Sequence, residues 1–291
     1  MVKVESKTTI NTVVSRFMKV NRGRNLIAIL AIVMTTVMFT ALFTAAMSVV
    51  KSQQQHEMRS TMDSAHITIQ MMTKEQLEAI QDYARIQRSG VAIFAALAEN
   101  KELRETQTEI RYGDENAAES FMCGPQKGRL PKSEGEIALS TITLNQLGVE
   151  PKLGNKVKLA YTLSGKKQVN EFVLSGYWTG DPLPKAQIAW VSKGFCLKQC
   201  KEATQDSLAK RDYEGEYSLN IWCGNIWKLT DYAEELSQEL KGTPAKVSVN
   251  PAFERYIGED GLPIGTLALI LLIIFLSGYL IIFNVFRISV N

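Results

Sequence analysis

Few residues of this chain have the type and spacing that catalysis or metal binding requires. Only two of the 291 residues are histidines, His56 and His66. A Ser-His-Asp or Cys-His arrangement needs a histidine beside a nucleophile, and no pattern such as HExxH sets metal ligands at a fixed spacing. Two acidic pairs are typical of solvated surface residues: Glu134 with Glu136, and Glu234 with Glu235. We therefore expect no catalytic, cofactor-binding or metal-binding residue, and we expect that the chain is not an enzyme.

One glycine-containing stretch, Gly148–Lys156 (GVEPKLGNK), superficially resembles a phosphate-binding loop. Such a loop curls backbone N–H groups around phosphates and places a Ser or Thr hydroxyl on magnesium directly after its lysine. Here the glycine spacing is one residue too long, and Val157 follows Lys156. The sequence favours a turn into a β-strand, with no nucleotide bound by this chain.

Four cysteines lie in the polar middle of the chain: Cys123, Cys196, Cys200 and Cys223. They form no CxxC pair and have no histidine beside them, so a zinc site is not expected. An oxidising compartment permits disulfides, and four cysteines allow three pairings. Cys196 and Cys200 would lie one turn apart on a helix. The sequence leaves the disulfide state of all four open.

Two uncharged apolar runs, Leu26–Val50 and Ile264–Phe286, bracket this polar middle. Each spans about 35 Å as a helix, enough to cross a hydrocarbon core of roughly 30 Å. An alternative for the first run is a cleaved signal peptide, for which Ala46-Met47-Ser48 offers a cleavage site. The run is far longer than the usual apolar core of about 7–15 residues in a signal peptide. We therefore predict two transmembrane helices.

The distribution of charge predicts the orientation of these helices. The first 25 residues carry a net charge of +5, Arg287 follows the second run, and the chain as a whole carries +3. The outer segment between them is therefore at −3. Because Lys and Arg beside membrane helices stay in the cytoplasm, we expect both termini inside and the central segment outside. The basic residues adjoin a membrane helix and lack interleaved aromatic residues, which argues against a nucleic-acid partner. They are Lys3, Lys7, Arg16, Lys19, Arg22 and Arg24.

Two patterns accompany the first membrane helix. Thr9–Val20 has apolar residues at helical spacing between basic ones, which predicts an amphipathic helix at the cytoplasmic lipid surface, with Asn21–Asn25 turning into the bilayer. Within the membrane run, small hydroxyl residues recur every fourth position and predict a face for packing against another helix. These are Thr36, Thr40, Thr44 and Ser48.

The outer segment alternates between strand and helix patterns, which predicts a mixed α+β domain of two subdomains. Lys51–Met62 is expected to prolong the first membrane helix as a stalk. The other helices are expected from the capping-box residue Thr73 to Ile86 and at 141–147, 193–208 and 228–240. Strands are expected at 65–72, 91–98, 109–112, 120–122, 136–139, 157–162, 171–176, 187–191, 217–222 and 245–249.

These predictions divide the chain into five segments. Residues 1–25 are a cytoplasmic basic amphipathic segment, and 26–50 form the first transmembrane helix. Residues 51–263 form the extracytoplasmic domain, 264–286 the second transmembrane helix, and 287–291 a cytoplasmic end.

One segment has a distinctive order of residues. Gly128–Ser140 reads GRLPKSEGEIALS, and it is followed by Leu147-Gly148 and by Leu153–Leu159 (LGNKVKL). Phe172–Tyr177 (FVLSGY) and Ala189–Ser192 (AWVS) come next. This order resembles the extracytoplasmic domain of FtsX-like and MacB-like ABC transporter permeases, whose basic N-terminal helix, first span and large outer domain are also similar to this chain.

The resemblance implies a MacB-like periplasmic core fold and a permease subunit in the cell membrane. Its partners would be a cytoplasmic ATP-binding subunit, a second permease copy or half, membrane lipid, and an extracytoplasmic peptide, lipid or protein client. ATP hydrolysis by the partner would move the outer domain, for export or mechanotransmission. Family members carry further spans after the outer domain, so we expect the end at 287–291 to be truncated. The alternative is a two-span sensor or scaffold whose outer domain binds a ligand or protein without an ATPase.

Overall fold

The computed structural model describes residues 7–20, 22–83, 85–257 and 264–290. The chain divides into two compact units, one formed by Met1–Ser52 with Leu262–Asn291 and the other by Gln53–Gly261. Each unit is built from elements that the hydrophobic pattern of the sequence favours.

The helices of the first unit follow the basic and apolar runs. They are α1 (Lys7–Val20), α2 (Arg22–Thr61) and α10 (Ile264–Val290). The expected turn over 21–25 is wrong for residues 22–25, because they are the first turn of α2, while Asn21 lies outside the described residues. Extending a formed helix gains one hydrogen bond per residue, and a single glycine there costs only about 1 kcal/mol.

Helix α2 is long and apolar enough to cross a membrane, by length and composition. In α10 the described apolar stretch, Ala268–Leu280, is shorter than a membrane-crossing helix needs. That α10 crosses a membrane therefore stays a prediction.

Helices α2 and α10 approach each other closely at Gly278. A Cβ atom on Gly278 would lie 2.4 Å from Thr35 Cγ2, so a larger residue there would force Thr35 to move. The observed contact is thus one position away from the predicted packing stripe, where Thr36 and Thr40 are exposed. Both hydroxyls donate to the carbonyl oxygen four residues earlier, at 2.8 Å.

The second unit is organised around one ten-stranded sheet. The strand order is β10-β1-β9-β2-β3-β8-β5-β7-β4, and β6 pairs with β7. Strand pairs β3–β8 and β5–β7 are parallel, and the other pairs are antiparallel. The strands are β1 (Ile67–Met72), β2 (Ile86–Leu97), β3 (Gln107–Gly113), β4 (Lys127–Gly128), β5 (Glu136–Ser140), β6 (Lys156–Leu163), β7 (Lys166–Trp178), β8 (Ala186–Val191), β9 (Tyr217–Cys223) and β10 (Lys246–Val249).

Part of this sheet closes on itself. Ala98, just after β2, forms an antiparallel bridge with Tyr161 of β6. The N–H of Glu99 donates to the carbonyl oxygen of Ala160 at 2.6 Å. Strands β2-β3-β8-β5-β7-β6 thus form a ring around buried aromatic and aliphatic side chains such as Tyr161 and Phe172. Since β2 belongs both to this ring and to the flanking sheet, the prediction of two subdomains is not confirmed.

Short helices cover the sheet. They are α3 (Lys74–Gln81), α4 (Glu115–Ser120), α5 (Thr141–Gln146), α6 (Lys193–Gln199), α7 (Gln205–Ala209), α8 (Leu229–Glu239) and α9 (Pro251–Ile257), with 3₁₀ turns at Lys101–Leu103 and Ile226–Lys228. Thr73 and Gln76 form the predicted capping box of α3, although that helix ends at Gln81 and not at Ile86. Strands β6 and β7 form a hairpin whose two turn residues, Ser164 and Gly165, both have a positive φ, as a tight hairpin turn requires.

Two predicted elements are wrong. Residues 120–122 do not form a strand, because Asp114 caps α4 by accepting the N–H of Ala117 at 2.7 Å, and α4 ends at Ser120. The helix expected over 193–208 is two helices. Cys200 has an extended backbone (φ −80°, ψ 146°), and Thr204 caps the second helix with a capping box of its own.

Candidate functional site: the stalk junction

The C-terminal end of α2 meets the sheet in a polar cluster. Met62 has a left-handed backbone (φ 51°) and turns the chain away from the helix. Next comes Asp63, whose carboxylate accepts the N–H of Ala65 at 2.9 Å, the hydroxyl of Ser120 at 3.0 Å and the hydroxyl of Thr68 at 2.5 Å. The start of β1 and the end of α4 are therefore bonded to the residue that follows the stalk.

All three of these donors to Asp63 are uncharged. Burial therefore raises the pKa of the Asp63 carboxyl above its ordinary value, and the hydrogen bonds from Thr68, Ala65 and Ser120 offset this only in part. The ionised carboxylate of Asp63 is stabilised by these hydrogen bonds and not by a neighbouring cation. Losing any of the bonds would therefore disfavour its charged form.

The segment that follows β10 joins the same cluster through Asn250. Its side-chain amide donates to the carbonyl oxygens of Asp63 at 2.7 Å and of Ala65 at 2.8 Å, and its side-chain oxygen accepts the N–H of Ala252 at 2.9 Å. Its own N–H donates to the carbonyl oxygen of His66 at 2.9 Å. Asn250 is 3 % exposed, so these bonds are shielded from water.

His66 packs in the same region. Its Nδ1 accepts the backbone N–H of Cys223 at 3.0 Å, and its ring lies edge-on to Phe253 with centroids 4.6 Å apart. Burial lowers the pKa of the imidazole, which keeps Nδ1 free to accept that bond. His66 thus connects β9 to α9, and the other histidine, His56, is exposed on α2.

Two further contacts hold the stalk at its sides. Gln54 donates from Nε2 to the carbonyl oxygen of Ala252 at 3.0 Å, and Arg59 makes a two-pronged ion pair with Asp181 at 2.6 and 3.0 Å. We use the name stalk junction for Gln54, Arg59, Asp63, His66 and Asn250. In it, α2, the segment after β10 and the loop after β7 are bonded together.

A small cavity of about 140 Å³ lies beside Arg59, and Met62, Trp178 and Cys123 are among its lining residues. The carbonyl oxygen of Cys123 accepts the indole N–H of Trp190 at 2.8 Å. Burial raises the pKa of the Cys123 thiol to about 12, so this thiol stays protonated and unreactive at neutral pH. The four cysteines are free thiols in the structure.

The distinctive segment Gly128–Ser140 forms a second polar arrangement, which we call the motif turn. Arg129 binds the Glu136 carboxylate through both terminal nitrogens, at 2.8 and 2.6 Å. Glu136 also accepts the N–H groups of Lys132 at 2.8 Å and Ser133 at 3.1 Å. The hydrogen bond from Arg129, aided by those N–H groups, lowers the pKa of Glu136 to about 2. Ser140 then caps α5 by accepting the N–H of Thr143.

A surface cleft of about 580 Å³ opens beside the motif turn. Its walls combine Tyr112 and Pro125 with the charged residues Asp114, Arg129 and Lys132. This mixture of apolar wall and both signs of charge is suited to a peptide or protein segment better than to a purely apolar ligand.

The other residues singled out in the sequence have ordinary surface or turn positions. Glu134 pairs with Lys198, Glu235 accepts the hydroxyl of Tyr83, and Gly148 ends α5 with a φ of +67°. Lys156 begins β6 and pairs with Glu171 at 2.6 Å, so the stretch from Gly148 is a turn into a strand. Within the described ranges, no group of three or more His, Cys, Asp and Glu residues lies close enough to hold a metal ion.

Arg111 is a buried charged residue whose ion pairs the sequence patterns did not predict. It is 9 % exposed in β3, with Glu109 at 2.6 Å and Glu216 at 3.6 Å, and its guanidinium lies 5.0 Å from the ring centre of Phe94. Burial raises the pKa of Glu216 despite the nearby arginine. The only sequence signal is the alternation within β3, which does not reveal the partner residue.

No family model and no curated relative matches the chain. Solved domains that are similar to it include the following three. The periplasmic region of MacB from Actinobacillus actinomycetemcomitans has 11 % identity and a TM-score of 0.42, covering 68 % of this chain and 94 % of that one. The extracellular domain of the noncanonic ABC-type transporter YknZ from Gram-positive bacteria has 12 % identity and a TM-score of 0.38, covering 61 % and 89 %.

The third is a domain assigned to a permease protein of Porphyromonas gingivalis, with 10 % identity and a TM-score of 0.38, covering 64 % of this chain and 90 % of that one. The first is thus a region of MacB, the second belongs to an ABC-type transporter and the third to a permease protein.

Proposed function

We propose that the chain is a permease subunit of an FtsX/MacB-type ABC transporter. In this proposal α2 and α10 cross the cell membrane, both termini are cytoplasmic and the unit Gln53–Gly261 is extracytoplasmic. A cytoplasmic partner subunit binds and hydrolyses ATP, and the resulting movement of the membrane helices is passed to the outer domain. The chain itself is not an enzyme.

The observation that carries the proposal is the bond between the two connections of the outer domain. Asp63 follows α2, and Asn250 precedes α9 on the way back; the Asn250 amide donates to the Asp63 carbonyl across 187 residues of sequence. A displacement of either connection therefore reaches the same buried contact. Such an arrangement suits a domain that moves as one body when its membrane helices move.

The partners follow from this arrangement. A second permease copy would complete the membrane part, where the hydroxyl stripe from Thr36 to Ser48 is exposed. The clients would be peptides, lipids or proteins on the outer side, and the cleft beside the motif turn is where a peptide or protein segment would bind. No nucleic acid takes part.

Co-purification tests the proposal. A full-length tagged chain, extracted from its native membrane in mild detergent, should retain a subunit with a phosphate-binding loop. Non-hydrolysable ATP analogues should then change the distance between a spin label in the outer domain and one at the cytoplasmic end of α2. If no ATP-binding subunit is retained and ATP analogues leave that distance unchanged, the two-span sensor or scaffold is the better description.

The stalk junction allows a more specific test. In Asn250→Ala the bond between the two connections is lost, while the cytoplasmic side is unaltered. We expect the variant to keep its ATP-binding partner but to lose most of the nucleotide-dependent distance change. An unchanged distance response would show that movement reaches the outer domain by another route.

A further inference from the structure

Strand β7 is only partly flanked by β5. Their pairing begins where Glu136 faces Val173, and the N–H of Val173 donates to the carbonyl oxygen of Gly135 at 2.8 Å. The part of β7 that precedes Val173 pairs with β6 on its other side. Among the described residues, no strand pairs with Lys167–Glu171 on the β5 side. We call Lys167–Glu171 the open edge.

The backbone groups of Val169 point out of this edge. Val169 faces Ala160 of β6, and Ala160 turns both of its own backbone groups away from β7. Its N–H donates to the side chain of Asn100 at 2.8 Å, and its carbonyl oxygen accepts the N–H of Glu99 at 2.6 Å. Directly opposite residues of an antiparallel pair either bond to each other or both turn away, so Val169 turns away as well. The same alternation directs the backbone groups of the first and last residues of the open edge outward. Within the described part of the chain, no hydrogen bond reaches these outward groups.

The side chains beside these outward groups are exposed to water. Val169 is 68 % exposed, and the side chains of Lys167 and Glu171 are 87 % and 39 % exposed. These alternate positions share one face of the strand. A strand edge with unbonded N–H and C=O groups is where another extended segment adds through main-chain hydrogen bonds.

The sequence of the open edge, KQVNE, is complementary to itself when two copies run antiparallel. If Val169 faces Val169 of a second copy, Lys167 faces Glu171 and Gln168 faces Asn170. Opposite charges that face each other across an antiparallel pair stabilise it, and the two amides can hydrogen-bond. Lysine on an edge strand ordinarily discourages pairing. Here an acid at the symmetric position makes the same charges favour an identical strand, so the charge pattern indicates a second copy of this chain as the occupant.

We propose that two copies of the chain associate by pairing their open edges into one continuous antiparallel sheet. A two-fold axis at Val169 relates the copies, so the same residues contribute from both sides. Each outward residue then exchanges two backbone hydrogen bonds with the residue that it faces. The inference rests on the proposed function in that it locates the contact with the second permease copy. All of its residues belong to the unit Gln53–Gly261.

Cross-linking between engineered cysteines tests the pairing on the full chain in vesicles of its native membrane. In the proposed pair the two Cα atoms at position 169 lie about 5.5 Å apart, so Val169→Cys should form a linked dimer with a short bis-maleimide. Val173→Cys is the matched control, because Val173 lies on the same face of β7 and is 44 % exposed. Its two copies would be about 27 Å apart along the strands, beyond the reach of the reagent. The wild type, with its four cysteines, measures the background.

Charge reversal separates pairing between copies from contacts within one copy. Lys167→Glu or Glu171→Lys, each placed in the Val169→Cys chain, brings like charges together and should remove most of the linked dimer. Both substitutions together restore opposite charges between the copies and should restore the link. Within one copy, Lys167 lies 3.9 Å from Glu99 and Glu171 lies 2.6 Å from Lys156. The double variant leaves both of these ion pairs broken, so only pairing between copies explains its recovery.

Two outcomes would overturn the inference: a Val169→Cys chain that links no better than Val173→Cys, or charge reversals that do not first remove and then restore the link. Retention of the ATP-binding subunit, measured on the same material, tests the proposed function separately. A chain that retains this subunit without linking at position 169 refutes the open-edge contact alone. A chain that links there but retains no ATP-binding subunit refutes the proposed function and keeps the pairing.

Discussion

The stalk junction and the motif turn each use a carboxylate to hold a bend of the chain, yet the two carboxylates have opposite environments. Asp63 is surrounded by uncharged donors and its pKa is raised by burial, whereas Glu136 faces the guanidinium of Arg129 and its pKa falls to about 2. Charge pairing at the surface favours the ionised form, and burial without a cation disfavours it. The same side-chain chemistry therefore has opposite dependence on pH in the two places.

The two regions also differ in what they connect. The contacts of Arg129 with Glu136 span seven residues, so the motif turn is a local structure. The contact of Asn250 with Asp63 spans 187 residues and connects the two ends of the unit Gln53–Gly261. A local turn stabilises its own loop, while a long-range tie is able to pass on a displacement. Four substitutions test this difference.

The largest expected effect is that of Gly128→Ala in the motif turn. Gly128 has a φ of +76°, and an added Cβ would lie 2.2 Å from the carbonyl oxygen of Ser175. Strained backbone and a clash with rigid backbone together should cost about 3–5 kcal/mol of unfolding free energy. The midpoint of urea unfolding, followed by tryptophan fluorescence of the full chain in detergent, measures this.

Gly135→Ala in the same turn is the matched control. Nothing lies within 4 Å of a Cβ atom built on Gly135. Its substitution should change the unfolding free energy by about 0.5 kcal/mol or less. Equal effects of the two substitutions would mean that the motif turn does not hold Gly128 against β7.

The next largest effect is expected for Asn250→Ala at the stalk junction. The substitution leaves the carbonyls of Asp63 and Ala65 and the N–H of Ala252 without their buried partner. Losing these bonds should cost about 2–4 kcal/mol. The opening should also be local, so Cys223, whose N–H bonds to His66, should react faster with a maleimide than Cys196 does. The exposed Asn145→Ala, on α5, should change neither quantity.

The motif turn is a local structure and the stalk junction a long-range one, and this difference decides how well the sequence predicts each of them. The strand expected at 136–139 and the helix expected at 141–147 could be predicted because their signals lie within a few residues of one another. Asp114 caps a helix in the same way as Ser140, but the strand-like pattern of the residues around it led to the prediction of a strand on either side. Cys200, with its extended backbone between two short helices, has no strong breaker residue beside it.

The stalk junction could not be predicted from the sequence. Asp63, Ser120 and Asn250 are single polar residues in three distant segments, and their types alone are common on surfaces. Arg111 likewise meets Glu216 only because β3 and the start of β9 both neighbour β2 in the sheet. Pairing across a sheet depends on register, which hydrophobic alternation does not specify between distant strands.

Asp63→Asn should have a moderate effect that depends on pH. A raised pKa in the folded state means that folding binds a proton, so wild-type stability should fall as the pH rises from the ordinary Asp value of about 3.9 through the raised value. Asparagine cannot ionise, and its side chain can still bond to Ala65 and Thr68. The variant should therefore lack this fall between about pH 4 and 7, a range set by the ordinary pKa of Asp and neutrality. Urea midpoints across this range measure it, with exposed Asp82→Asn as the control for one lost charge.

Glu136→Gln should have the smallest effect at neutral pH and the opposite dependence on pH. The ordinary Glu value of 4.5 falls to about 2 in the folded state, so the stability that Glu136 provides is present above pH 4.5 and is lost as the pH falls towards about 2. Glutamine keeps an oxygen for the N–H groups of Lys132 and Ser133 but loses the charge that Arg129 binds. The variant should be slightly less stable than the wild type at pH 7 and should lack the loss in acid.

Urea midpoints from pH 2 to pH 5 measure this second dependence, with high salt weakening it because Arg129 is exposed. Comparing the two variants over the whole pH range separates the two carboxylates. The difference between wild type and Asp63→Asn should grow as the pH rises, and should favour the variant. The difference between wild type and Glu136→Gln should also grow with pH, but should favour the wild type. If both differences favoured the wild type, the Asp63 carboxylate would have to be stabilised by its neighbours as Glu136 is, and the contrast between a buried tie and a surface turn would not hold.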